Sequence, residues 1–124
     1  MEYIKLLIIL LALDLPMIFY FNKDVIFPMF KKINNDKDIE INNYKIISGI
    51  IAFSLIVFAL QYFIIKNNLK KEDAFILGII IYGIYNTTNY TSINNYSLEY
   101  VIRDTLWGGI LCYLVVFIYS KNIL

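Results

Sequence analysis

The chain has 124 residues, of which 60% are hydrophobic, and its formal net charge is +1. Such an apolar composition is unusual for a soluble domain and indicates one small membrane domain over residues 1–124. The near-neutral charge excludes nucleic acid as a partner, because such partners require a basic surface, and the absence of histidine removes the most common metal ligand and general base.

The first predicted helix covers residues 4–21. About 20 apolar residues cross a bilayer, and this run is apolar except for Lys5 and Asp14. Pro16 lacks a backbone donor and predicts a kink just after Asp14. A secretory signal peptide is the competing interpretation, but it is disfavoured because no small-x-small cleavage site follows the run.

The longest connection covers residues 22–45 and is interpreted as an interfacial and polar loop. Residues 25–32 mix apolar and basic side chains, which suits a segment lying among lipid headgroups. Residues 34–40 are hydrophilic and predict a solvated loop.

The second predicted helix covers residues 46–65 and is followed by a polar turn with three lysines. Small side chains along this helix would allow a neighbouring helix to approach closely. They are Ser48, Gly49, Ala52, Ser54 and Ala59.

The third and fourth predicted helices cover residues 74–90 and 101–119. The Asn94-Asn95 pair between them favours a turn, and Ser97 is placed to cap the fourth helix. Tyrosines near this turn match interfacial aromatics. They are Tyr90, Tyr96 and Tyr100.

Short connections predict that successive helices pack antiparallel. The expected fold class is therefore all-α, an integral-membrane four-helix bundle in up-down-up-down order. This multi-pass arrangement places both termini on one side, with five of the eleven basic residues there and six on the other side. That near balance does not decide the orientation, but the compact three-lysine turn favours termini in the cytoplasm.

Three polar side chains on three predicted helices share one depth. Counting at 1.5 Å per residue puts Asp14, Asn86 and Asp104 roughly 5–10 Å inside the same interface. Helical spacing gathers further polar and aromatic residues around them. The candidate ligand-binding residues are Asp14, Tyr82, Tyr85, Asn86, Thr88, Asn89, Arg103, Asp104 and Trp107.

Two interpretations of this cluster stay open. An unpaired carboxylate in hydrocarbon costs about 2.5–3.5 kcal/mol, so Asp14 and Asp104 should face inward and find donors. Polar residues can also join helices without further function, at about 0.6 kcal/mol each, and Asp104 could simply pair with Arg103. The alternative is a site for a ligand or an ion.

Three hypotheses of function follow from the cluster. The leading one is binding or transport of a small polar ligand, ion or proton. The second is a structural protein that organises the membrane or assembles as a homo-oligomer or with a membrane partner. The third, an intramembrane enzyme using two carboxylates as acid and base, ranks last because no nucleophile motif accompanies them. We therefore predict no enzymatic activity, no catalytic residue, no metal and no cofactor, with the lipid bilayer as the principal partner.

The same motifs resemble an uncharacterised membrane-protein family, domain of unknown function 2177. That family has four predicted spans, a Leu-Asp pair in the first, and a Tyr-Asp-Leu-Thr-Asn signature followed by Asp-x-x-Trp-Gly. The corresponding residues here are Leu13-Asp14, Tyr85-Asn86-Thr87-Thr88-Asn89 and Asp104-Thr105-Leu106-Trp107-Gly108. The resemblance covers nearly the whole chain and implies the four-span fold but no activity. Asn86 departs from the acidic residue of the family, so a role that needs a carboxylate there is lost or altered.

Overall fold

The computed structural model describes residues 2–121, and all regular structure in that range is helical. Residues 1 and 122–124 of the predicted domain lie outside the described part. The helices are α1 (Glu2–Phe21), α2 (Lys23–Ile33), α3 (Asn43–Ile65), α4 (Lys71–Ser92) and α5 (Leu98–Ser120). The all-α prediction is confirmed for the described residues, which contain no strand.

Three of these helices are long and apolar enough to cross a membrane, namely α1, α3 and α5. α4 has 22 residues, but its C-terminal third carries the Asn-Thr-Thr-Asn run. This run makes α4 less hydrophobic than the other three, although its first two-thirds are strongly apolar. By length and composition, three helices are therefore candidate membrane spans, and the fourth span stays a prediction.

Side-chain caps and asparagine turns define where the helices begin and end. The Asn42 side chain accepts a hydrogen bond from the Lys45 N–H at 3.0 Å at the start of α3. Ser97 caps α5 as predicted, because its hydroxyl accepts from the Tyr100 N–H at 3.2 Å. Asn68 and Asn95 adopt positive φ in the turns on either side of α4, a conformation that asparagine tolerates better than most residues.

Pro16 changes the geometry of α1 without ending the helix. Since proline has no N–H, the regular bond to the preceding turn is missing at this point. The next five residues, Met17–Phe21, form a wider π-helical turn. The Asn22 N–H closes this turn by donating to the Met17 carbonyl oxygen at 2.9 Å. The structure thus has a π-helical turn at the place where the sequence predicted a kink after Asp14.

The prediction of a loop over residues 22–45 was wrong for its first half, which is α2. This short helix is amphipathic, and it buries Ile26 and Met29 one turn apart. Both side chains pack with Tyr96 from the turn between α4 and α5 and with Tyr100 and Val101 from the start of α5. Tertiary packing on these tyrosines stabilises the helix. The hydrophilic stretch before α3 is irregular, as predicted.

α4 and α5 form the closest pair and run antiparallel. Gly78 of α4 lies against Gly108 of α5, and a Cβ added to Gly78 would collide with the Gly108 carbonyl oxygen. Glycines at this crossing therefore let the two backbones touch, as in small-residue membrane interfaces. Gly49 of α3 serves no such contact, because a Cβ added there would have no neighbour within 4 Å.

α1 and α3 complete the packing around α5. A buried apolar cluster joins α1, α3 and α5 towards the terminal side, with Leu6, Leu10, Leu60, Leu111 and Val115 at its centre. α1 packs against both α3 and α5, whereas α3 packs on α4 mainly through its last turn, Leu60–Ile65. The first part of α3 therefore diverges from α4.

Candidate functional site

Asn86 is the most enclosed polar side chain at the contact between α4 and α5. It is 0% exposed. Its Nδ2 donates to Asp104 Oδ2 at 2.7 Å and to the Tyr82 carbonyl oxygen at 2.9 Å. Its Oδ1 accepts from the Tyr96 hydroxyl at 2.8 Å. One amide therefore joins α4, α5 and the turn between them.

Tyr96 closes this network from the α4–α5 turn. Its ring is buried beside Tyr100, with the ring centroids 5.8 Å apart in an edge-on arrangement. Burial disfavours the phenolate and raises the pKa of Tyr96 to about 12. The hydroxyl is consequently protonated at neutral pH and remains a donor to Asn86, while the Asn89 amide donates to it at 3.4 Å.

Asp14 forms the second polar contact, between α1 and α5. Its side chain is only 5% exposed, and the Trp107 indole Nε1–H donates to Oδ1 at 2.8 Å. Oδ2 receives no hydrogen bond from residues 2–121. Within the same residues, neither Asp14 nor Asp104 takes part in an ion pair. Two carboxylates therefore lie in the bundle without a cationic partner from the described chain.

Both carboxylates line a cavity of about 390 Å³. Three tyrosines, Tyr82, Tyr85 and Tyr100, accompany them. The rest of the wall is apolar and comes from Ile18, Ala52, Phe53, Leu55, Ile56 and Ile81. The volume lies within the range of roughly 300–1,000 Å³ common to small-molecule sites, which also combine apolar walls with a few polar groups.

The cavity occupies the gap where α3 diverges from α4. Its α3 wall is formed by Ala52, Phe53, Leu55 and Ile56, and its α4 wall includes Ile81 and Tyr85. Leu55 and Tyr85, which both line the gap, are 62% and 53% exposed. The cavity is therefore a lateral cleft, open at the side of the bundle.

Two of the predicted site residues, Arg103 and Thr88, lie outside the cleft and outside the Asn86 network. Arg103 is exposed and pairs with Glu99 one turn back at 2.8 Å, so it does not neutralise Asp104. Thr88 is also exposed, and its hydroxyl donates to the Ile84 carbonyl oxygen of its own helix. Consecutive residues on a helix point about 100° apart, which separates Arg103 from Asp104. Asn89 reaches the network through the Tyr96 hydroxyl.

The other predicted residues come together in two groups. Asp104, Asn86 and Tyr82 form the α4–α5 network, and Asp14 with Trp107 forms the α1–α5 contact. Tyr85 lines the cleft beside both groups.

Sequence reasoning missed Tyr96, Tyr100 and the α3 wall of the cleft. Both tyrosines were interpreted as interfacial aromatics, yet Tyr100 lies one turn before Asp104 on the same face. That spacing was the available signal. Phe53 and Ile56 carried none, because every face of α3 is apolar. Among residues 2–121, no group of three or more His, Cys, Asp or Glu side chains is arranged to hold a metal ion.

Comparison with known proteins adds one finding that covers the two polar segments. A family model described as "Predicted membrane protein (DUF2177)" matches residues 1–119. No curated protein and no solved structure matches the chain.

Proposed function

We propose a ligand-binding or transport role for this chain, which belongs to the DUF2177 family of predicted membrane proteins. The ligand is a small polar molecule, an ion or a proton, held by the carboxylates of the cleft. The family assignment agrees with the resemblance found in the sequence. The proposal includes no catalytic step and no resident cofactor or metal centre.

The proposal takes α4 as the fourth span of an up-down bundle. A 22-residue helix is about 33 Å long, enough to cross the hydrocarbon core. Its polar end does not present free donors to lipid, because the Thr87 and Thr88 hydroxyls donate to carbonyl oxygens one turn back. Asn86 is wholly buried against α5. These bonds reduce the cost of placing the polar end in a membrane.

The observation that carries the proposal is the state of Asp14. Its carboxylate is buried, uses one oxygen on Trp107 and has no cation beside it among the described residues. An ionisable side chain inside a membrane bundle is by default a functional-site hypothesis. A cleft next to the free oxygen gives a ligand room to bind.

The test uses small cations as probes with matched variants. Purified protein is heated in detergent with sodium, potassium or ammonium chloride, and proton and cation flux is measured in liposomes. We expect one probe to raise the melting temperature or to carry flux, and Asp14→Asn and Asp104→Asn to abolish the effect. Asp38→Asn, in the exposed loop before α3, is the control. Equal responses of the wild type and the double variant would contradict the proposal.

A structural role is the second candidate, and exposed aromatics favour it. Phe19, Tyr20 and Phe21 at the end of α1 are all more than half exposed, and aromatic residues are enriched at protein interfaces. In this role the chain would assemble as a homo-oligomer or with another membrane protein. Crosslinking in native membranes tests it, and recovery of the monomer alone would count against it.

A further inference from the structure

We infer that the cleft between α3 and α4 binds a single-chain amphiphile with a cationic amine head, which enters sideways from the bilayer. The inference rests on the proposed function and names the class of its ligand.

The head of this ligand follows from the charges in the cleft. Asp14 Oδ2 accepts no hydrogen bond from the described residues, and Asp104 lines the same cavity without an ion pair. An ammonium group donates hydrogen bonds and carries the charge that two carboxylates lack. Tyr82, Tyr85 and Tyr100 add aromatic faces and hydroxyl acceptors, which suit a cation as well. A phosphate or carboxylate head would meet like charge here.

The tail follows from the remaining wall. Six of the lining residues are aliphatic or aromatic hydrocarbons from α1, α3 and α4. Leu55 is 62% exposed and marks an open part of this wall, and an alkyl chain would lie along apolar residues such as Phe53 and Ile56. A small inorganic ion would leave this apolar part of the cleft unused.

The route by which the ligand enters the cleft follows from the position of α2. α2 packs over the α4–α5 turn and the start of α5, through Ile26 and Met29 against Tyr96 and Tyr100. The Ser97 N–H also lies 3.3 Å from the Met29 sulfur. This cover hinders entry from the aqueous end near the carboxylates. The gap between α3 and α4 lies instead at the side of the bundle, where a membrane protein meets lipid.

Trp107 provides a built-in reporter of binding. It is the single tryptophan of the chain, and its indole donates to the same carboxylate that would hold the amine. The experiment titrates protein in phosphatidylcholine nanodiscs with dodecylammonium, dodecanol, dodecanoate and ethylammonium. Trp107 emission and the melting temperature are recorded for each probe.

Dodecylammonium should act at concentrations about tenfold or more below those of the other three probes. Asp14→Asn should weaken its effect about tenfold, as expected for the loss of one charge-assisted contact. Ala52→Phe, which adds a large side chain to the apolar wall of the cleft, should weaken binding of dodecylammonium but leave ethylammonium unchanged. Asp38→Asn and Ile50→Phe, on the loop and the outer face of α3, are the controls and should bind as wild type.

The outcomes separate this inference from the proposed function. Equal action of dodecanol or dodecanoate would overturn it, because the cleft would not recognise the charge of the head. Equal action of ethylammonium, with Asp14 dependence, would overturn the amphiphile while supporting the proposed function. Absence of any Asp14-dependent or Asp104-dependent response to these probes, and to the inorganic cations above, would overturn both. If Asp14→Asn does not fold, Asp104→Asn tests the role of the carboxylates and Ala52→Phe tests the role of the apolar wall.

Discussion

At the scale of single residues, the Asn86 amide holds groups from both sides of the α4–α5 contact. It is bonded to Asp104 Oδ2 and to the Tyr96 hydroxyl, at 2.7 and 2.8 Å. Inside a bundle neither group has water as a substitute partner. Leaving a buried donor or acceptor without a hydrogen bond costs more stability than a typical hydrogen bond contributes.

Replacing Asn86 by leucine should therefore destabilise the protein by about 1–3 kcal/mol, because Asp104 and Tyr96 lose their shared partner. The free energy of unfolding in mixed detergent micelles is the measurement. Thr87→Val is the matched control, since the exposed Thr87 hydroxyl bonds only to its own helix at 2.6 Å, and it should change stability by less than about 0.5 kcal/mol. Equal stability of the two variants would show that the network contributes nothing.

Asp14 and Trp107 should behave as a coupled pair. The single variants Asp14→Asn and Trp107→Phe each remove or weaken the 2.8 Å bond between α1 and α5. Combining them should cost less than the sum of the single changes, with a coupling energy of about 1 kcal/mol or more. Unfolding measured for all four proteins completes the cycle. Strict additivity would mean that the indole does not bond to this carboxylate.

Depth and helical face can be counted from the sequence, which predicted Asp14, Asn86 and Asp104 at one level. One bond joins two of these residues, Asn86 and Asp104, whereas the pairing of Asp14 with the Trp107 indole was not predicted. The direction in which a side chain points around the helix axis was harder to predict than its depth in the membrane. Arg103 neighbours Asp104 in the sequence but bonds to Glu99 instead, since the favourable i,i+4 pair lies on the outer face.

At the scale of helices, the Gly78–Gly108 crossing sets how closely α4 and α5 approach. Gly78→Ala should destabilise the protein by about 1–3 kcal/mol, because its Cβ would meet the backbone of Gly108, which cannot yield as a flexible side chain can. Gly49→Ala is the control. It meets open space and should stabilise α3 by up to about 1 kcal/mol through helix propensity. The melting temperatures of both variants are the measurement. A Gly78→Ala protein as stable as the wild type would contradict the close backbone contact.

The same scale shows what hydropathy could not predict. Long apolar runs located α1, α3 and α5 because a bilayer-length hydrophobic helix has few alternatives. α2 has only 11 residues, contains Pro28 and is stabilised by Tyr96 and Tyr100, which are about 70 positions away in the sequence. The small residues of α3 predicted close packing, but Gly49 faces no neighbour. The local sequence pattern predicts that a helix forms, but it does not specify which other helix that helix packs against.

At the scale of the whole molecule, the connections define a topology that cysteine labelling can test. We predict termini in the cytoplasm and four spans. Residues before α3 and between α4 and α5 then lie outside the cytoplasm, while the turn between α3 and α4 lies inside. The single cysteine, Cys112, is free and buried, and Cys112→Ala provides a background without thiols.

Cysteines placed at Asp38, Lys70 and Asn94, all exposed, report the three connections in turn. A membrane-impermeant maleimide added to intact cells should label Asp38→Cys and Asn94→Cys but not Lys70→Cys, which should react only after lysis. Labelling of Lys70→Cys alone in intact cells would keep four spans and reverse the orientation. Asn94→Cys behaving like Lys70→Cys would mean that α4 does not cross, because both ends of that helix would then lie on one side. That result would also contradict a spanning α5, because α4 packs antiparallel along α5 and touches its backbone at Gly108.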